Sequence, residues 1–195
     1  MIKFKIVIAG AKDVGKTSLL RRYATGKFDK STLSTIGVDF ETKKLSINDT
    51  EILFNIWDFA GESRFRIIFP SYVSGASGAM MMFDITNEHS FTDLLDWIRL
   101  IESVQNPPRT KILLEHKIDL EDQRVVSKKE VEDFVNLYKF EAVIGTSAKT
   151  GENVHKAFMT LGEEILNNSL IKCPDCGKHY PLELKFCQYC GTKRY

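Results

Sequence analysis

The segment Gly10-Ala-Lys-Asp-Val-Gly15-Lys16-Thr17 constrains this chain more than any other. An apolar run, 4–9, precedes it, and Leu19 and Leu20 follow on what reads as a helix. Strand, tight loop and helix start therefore succeed one another around the spacing G-x-x-x-x-G-K-[ST]. Glycines let such a loop curl so that successive N–H groups face one phosphate chain. The helix start adds partial positive charge. Lys12, Asp13, Val14, Gly15, Lys16, Thr17 and Ser18 are the expected phosphate contacts. Lys16 is placed to reach β- and γ-phosphates, and the Thr17 hydroxyl to hold Mg²⁺.

The rest of the chain is compatible with such a fold. Its 195 residues suit one full-sized domain and a small appendage. A net charge of +1 gives no electrostatic reason to bind nucleic acid or an acidic membrane. No apolar run approaches the ~20 residues of a membrane span. The chain starts in a strand without signal-peptide architecture. All four cysteines lie between 173 and 190, so no disulfide staples the larger part, which fits a reducing, cytoplasmic location. No cysteine stands where a prenyl group is attached, and Ile2 occupies the position N-myristoylation reserves for glycine, so no lipid anchor is expected.

Apolar β-type runs at 3–9, 38–47, 51–57, 79–85, 111–115 and 142–145 alternate with helical stretches at 16–25, about 64–75, 88–105, 127–138 and 153–168. The run 79–83 lacks alternation, as a strand buried on both faces does. Segments 38–47 and 51–57 read as a hairpin through Asn48-Asp-Thr50, with one edge strand. Ser127-Lys-Lys-Glu130 reads as a capping box. This order predicts an α/β fold, a mostly parallel six-stranded sheet with helices on both faces, whose ligands bind at the carboxyl ends of the strands. The expected units are 1–168 and 169–195, with 167–169 as linker.

Further motifs fall in the loops after strands. Asp58, in Trp57-Asp-Phe-Ala-Gly61, can orient Mg²⁺ through water, and the Gly61 N–H can contact a γ-phosphate. Thr35, next to Ser34, can offer its N–H to that phosphate and its hydroxyl to Mg²⁺. In His116-Lys117-Ile-Asp119, Asp119 can accept the two N–H groups of a guanine edge. Ser147, Ala148 and Lys149 can close on the base.

Together with Ser34-Thr-Ile-Gly-Val-Asp-Phe40, Phe83-Asp-Ile-Thr-Asn87 and Thr146-Ser-Ala-Lys-Thr-Gly-Glu-Asn153, these motifs make residues 1–168 resemble a small GTPase of the Ras superfamily, most closely its Rab branch. The resemblance implies a P-loop NTPase fold, GTP hydrolysis to GDP with Mg²⁺, a role in vesicle trafficking, and protein effectors and regulators that read switch segments around Thr35 and Gly61. It puts Phe28 against the guanine ring. Lys16, Thr35 and the residue at 62 would carry catalysis.

Four positions depart from the family pattern. Switch II usually reads W-D-T-A-G-Q, but here Phe59 replaces Thr and Glu62 replaces the water-positioning Gln. A carboxylate beside the γ-phosphate adds repulsion and lacks an amide donor, so hydrolysis should be slow. Lys12 replaces a small residue, where it either crowds an incoming arginine finger or lends charge of its own. His116 replaces Asn, with guanine preference carried by Asp119. Two readings stand beside the switch enzyme: a non-hydrolysing GTP-binding scaffold, and a nucleic-acid-associated GTPase acting through the tail.

That tail holds Cys173-Pro-Asp-Cys176-Gly and Cys187-Gln-Tyr-Cys190-Gly. Two C-x-x-C-G knuckles close a tetrahedral Cys₄ site, so a zinc ribbon holding Zn²⁺ is expected. Its size leaves little apolar surface to bury, so metal should supply its stability. It stands where the family carries a lipidated tail, which suggests recruitment to membranes by a protein partner. Its basic residues are few and scattered, which argues against nucleic acid.

Overall fold

A computed structural model describes residues 1–29, 35–47, 50–182 and 184–194. The expected contact Ser34 and the turn residues Asn48 and Asp49 lie outside them. In chain order the elements are β1 (Ile2–Ala9), α1 (Lys16–Thr25), β2 (Val38–Ile47), β3 (Thr50–Phe59), α2 (Phe69–Val73), β4 (Gly78–Asp84), α3 (Glu88–Thr92), α4 (Leu94–Glu102), β5 (Thr110–His116), α5 (Lys128–Tyr138), β6 (Ala142–Thr146), α6 (Val154–Ser169), β7 (Leu170–Lys172) and β8 (His179–Pro181). Short 3₁₀ turns stand at Ser63–Phe65 and Ile118–Gln123.

The large sheet has the order β2-β3-β1-β4-β5-β6. All neighbours are parallel except the antiparallel β2–β3 pair. Side chains alternate across each strand and feed two cores. Phe4, Ile6, Ile8, Met80, Met82, Ile112 and Leu114 face α1 and α6, meeting Leu19, Leu20, Phe158, Leu161 and Ile165. Val7, Ala9, Ala79, Met81, Phe83 and Leu113 face the other helices, meeting Phe69, Val73, Trp97, Ile98 and Val131. Every residue of β4 is buried, as the absence of alternation predicts. Strand order reverses about β1, so the loops after β1, β3, β5 and β6 open along one carboxyl edge.

Four expectations change. The strand expected at 51–57 extends to Phe59, because Asp58 pairs with Ile8 on one side and Asp39 on the other. The helix expected at 64–75 is a 3₁₀ turn and the short α2, with Pro70 in its first turn. The helix expected at 88–105 breaks at Asp93 and ends at Glu102. There the Asp93 carboxylate accepts from Trp97 Nε1 at 3.0 Å and pairs with Arg66, whose guanidinium stacks 5.0 Å from the Trp97 ring. The linker expected at 167–169 is the last turn of α6, and β7 begins at the next residue. The capping box is present: Glu130 N–H donates to Ser127 Oγ at 3.2 Å, and Ser127 N–H to Glu130 Oε2 at 2.9 Å. No helix among the described residues is long and apolar enough to cross a membrane.

Candidate functional site

The loop after β1 wraps the start of α1. Gly15, with φ 99°, occupies the N-cap position, and no side chain caps the helix. Its first N–H groups are therefore available to an anion. Lys16 is 5% exposed and folds back over the loop, its Nζ donating to the carbonyl oxygens of Gly10 at 2.8 Å and Ala11 at 2.7 Å. Burial lowers its pKa to about 8, against the opposing charge of Asp58. Two carbonyls are a poor counterion, so this ammonium is poised for a better one. Val14 is buried in the core and offers only backbone.

Thr17, Thr35 and Asp58 come from three separate elements and meet at one point. Thr17 Oγ1 donates to Asp58 Oδ2 at 2.5 Å, and so accepts from Thr35 Oγ1, also 2.5 Å away. Asp58 is fully buried, and its Oδ1 has no hydrogen-bond partner. Burial raises its pKa to about 6, opposed by the Thr17 hydrogen bond and the charge of Lys16. A buried carboxylate oxygen without a partner is costly. Two hydroxyls and a carboxylate are the oxygen donors Mg²⁺ takes, directly or through water. The residues present fit that ion.

The same cleft is lined by Lys12, Asp13, Gly15, Ser18, Phe28, Asp29, Gly61 and Glu62. Gly61 lies against the phosphate loop so closely that an added Cβ would sit 2.3 Å from the Ala11 carbonyl carbon. Glu62 does not face open solvent. Lys12 Nζ stands 3.2 Å from its Oε1 and Arg64 Nε 2.7 Å from its Oε2. The hydrogen bond from Lys12, helped by Arg64, holds its pKa below the ordinary carboxylate range. Phe59 is 1% exposed and packs edge-on against Phe69 at 4.6 Å, rooting this segment in the core where the family has a threonine.

The base-edge residues form a second cluster. Asp119 accepts from Ser147 Oγ at 2.6 Å and has Lys149 Nζ 3.3 Å from Oδ2. Burial alone would raise its pKa, but those hydrogen bonds outweigh it and keep the carboxylate ionised. Ala148 is buried beside them. Lys117, in the left-handed region at φ 64°, is held by Asp84 Oδ2 at 2.6 Å. His116 is 3% exposed, bonds Thr146 Oγ1 through Nδ1 at 2.9 Å, and packs its ring on Gly15. Burial, then the charge of Lys117, lowers its pKa to about 4 and leaves it neutral. The imidazole thus joins the two clusters. Phe28 lines the phosphate cleft.

Residue-by-residue reading missed Asp84, Thr146, and Arg22, whose Nη2 donates to the Thr150 carbonyl at 2.9 Å. Asp84 ends β4, whose unbroken apolar run marks a strand buried on both faces, and an acid at that carboxyl end was findable. Thr146 and Arg22 carry none.

In the tail, the four Sγ atoms of Cys173, Cys176, Cys187 and Cys190 lie within 4.8 Å of one another, and all are free thiols. The Cys173–Cys190 and Cys176–Cys187 separations are 3.5 Å and 3.6 Å. A tetrahedron with Zn–S of ~2.3 Å has edges of about 3.8 Å. Both knuckles close alike: Gly177 N–H donates to Cys173 O at 3.0 Å and Gly191 N–H to Cys187 O at 2.8 Å. The cluster could hold a metal ion, and its donor set fits zinc.

A model of the Ras family matches residues 5–167. Among curated relatives, "Ras-related protein Rab-10" of Diplobatis ommata is 40% identical over 172 residues, covering 88% of this chain and 86% of the relative. "Ras-related protein Rab-8B" of Homo sapiens is 40% identical over 163 residues, covering 84% and 78%. "Ras-related protein Rab-8A" of Rattus norvegicus is 40% identical over 162 residues, covering 83% and 78%.

Proposed function

This chain belongs to the Ras family of GTP-binding switch GTPases, and we propose on that premise that it is a slow member whose effectors read residues around the cleft and whose tail is a protein-recruiting zinc ribbon. Phosphates lie on the loop of residues 12–18. Lys16 exchanges the Gly10 and Ala11 carbonyls for β- and γ-phosphate oxygens. Thr17, Thr35 and Asp58 would hold Mg²⁺, which would supply positive charge to offset that of the phosphates. Asp119, ionised, accepts the guanine N–H pair, Ser147, Ala148 and Lys149 close on the base, and Phe28 and Ser34 complete the nucleotide's surroundings.

The observation that carries slow hydrolysis is Glu62 itself, ionised and held 3.2 Å from Lys12 Nζ. An ionised carboxylate only accepts hydrogen bonds. It can orient an attacking water but donates nothing to the γ-phosphate, and its charge opposes the charge developing there. Single-turnover hydrolysis tests this: Glu62→Gln should raise the rate by about 10-fold or more, within the range a single transition-state donor supplies. An equal or lower rate in the variant refutes the assignment.

Effector reading is supported by exposed apolar side chains beside the cleft. Ile36, Phe40 and Ile67 are 81%, 48% and 85% exposed, and Phe40 meets Trp57 with ring centroids 4.9 Å apart and planes tilted by 57°. A place in vesicle trafficking rests on the likeness to Rab proteins. The proposed units are a nucleotide domain, 1–168, and a ribbon, 169–195.

A further inference from the structure

Lys12 and Glu62 line one cleft from two segments, the phosphate loop and the residues after Gly61. Their ion pair joins the two segments that the proposed function sets around the third phosphate. Lys12 remains half exposed, so the pair is weak and exchangeable. Glu62 keeps a second cation when it loses the first, because Arg64 Nε holds its other oxygen at 2.7 Å. Lys12, by contrast, has no second carboxylate among its ion-pair partners at the described residues. A terminal phosphate carries about two negative charges against the single charge of Glu62.

We propose that Lys12 senses the γ-phosphate: it pairs with Glu62 when the cleft holds a diphosphate and leaves Glu62 for the terminal phosphate when the cleft holds a triphosphate. The proposal rests on the reading that this cleft binds GTP and GDP. Its consequence is that a direct Lys12–Glu62 tie between the phosphate loop and the turn after Gly61 in the GDP state gives way, in the GTP state, to contacts made through the terminal phosphate, a charge exchange built into this chain's own side chains. Glu62 then acts as an internal competitor of the γ-phosphate, and Lys12 as the arbiter of GTP over GDP.

The test measures equilibrium affinities of the full chain for GDP and for a non-hydrolysable GTP analogue, with Mg²⁺, by displacement of a fluorescent guanine nucleotide. Lys12→Ala should lower the ratio of analogue affinity to GDP affinity by about tenfold, the worth of one charge-assisted hydrogen bond. Glu62→Gln should raise it by about threefold to tenfold by removing the competitor. Lys12→Arg should keep it within about twofold, since the charge and the donors remain. In Lys12→Ala/Glu62→Gln the two effects should fail to add, as coupled groups do. A ratio unmoved by Lys12→Ala, with guanine nucleotides still bound, overturns the sensor. Absence of guanine-nucleotide binding in the unsubstituted chain overturns the reading of the cleft instead.

Discussion

The nucleotide-binding part and the tail solve the folding problem by different means. The first buries two sets of apolar side chains, one on each sheet face, among them Trp97, Phe54, Phe83 and Phe158. The second buries Tyr180 with Cys173 and Cys187, flanked by Ile171 and Cys176, as a cluster of its own. A core of that size supplies little beside the entropy of ordering the segment. What remains to hold it is the four-thiol cluster. The contrast teaches that the two parts should answer to different insults.

Metal removal is the largest expected effect. Structural zinc in small domains contributes about 10–16 kcal/mol to folding. Zinc-selective chelation in excess Mg²⁺, or Cys187→Ser, should therefore leave residues after 170 open to protease while guanine-nucleotide binding persists. A tail that resists protease in strong chelator breaks the comparison. The converse insult is smaller. Phe158 is fully buried between α6 and the sheet, stacked on Tyr23 at 3.7 Å. Phe158→Ala should cost about 3–5 kcal/mol of unfolding free energy in the nucleotide-binding part. Zinc stoichiometry of the tail should stay at its unsubstituted value, and loss of zinc in this variant would merge the two units into one.

The smallest expected effect is confined to acid. His116 has a folded pKa of about 4, below its ordinary 6.5. The unfolded chain binds the extra proton first, so the stability conferred by the neutral ring is complete above pH 6.5 and lost as pH falls toward 4. Asp58, raised to about 6, works in the opposite sense in metal-free protein, because its folded form holds a proton the unfolded form releases. Only a difference isolates the imidazole. Denaturant unfolding of the chain and of His116→Asn at pH 7 and pH 4 should show the unsubstituted chain losing about 3 kcal/mol more over that interval. Parallel pH profiles would place the acid sensitivity elsewhere.

Much of this was legible beforehand because its signals are local. The phosphate loop is contiguous, β4 declares double burial by five successive apolar residues, and Ser127 and Glu130 cap α5 within one turn. What escaped depends on partners distant in sequence. Nothing near Asp93 announces Arg66, whose pairing accompanies the break between α3 and α4. Lys12 and Glu62 were each singled out as departures, yet their pairing requires the close approach of Gly61 to the loop. His116 read only as a replacement for Asn beside Asp119, and its packing on Gly15 needed the β1 and β5 loops side by side. The polar run Asn167-Asn-Ser169 suggested a linker by composition, but Asn168 is spent on a hydrogen bond to Thr110 Oγ1 at 3.1 Å.

That last turn of α6 has a mechanical consequence. A flexible tail gives its cargo a cloud of positions that widens with the square root of its length. Here helix passes to strand without an intervening residue, and the Leu182 N–H donates to the Ser169 carbonyl at 2.9 Å to brace the joint. The ribbon is a bracket, with a set angle and a set offset. The partner proposed for the ribbon would be presented to the rest of the molecule in one orientation, so that length and bearing, as well as chemistry, would decide what can dock. A few glycines inserted between Ser169 and Leu170 would turn the bracket into a hinge and surrender that selectivity while leaving both surfaces intact.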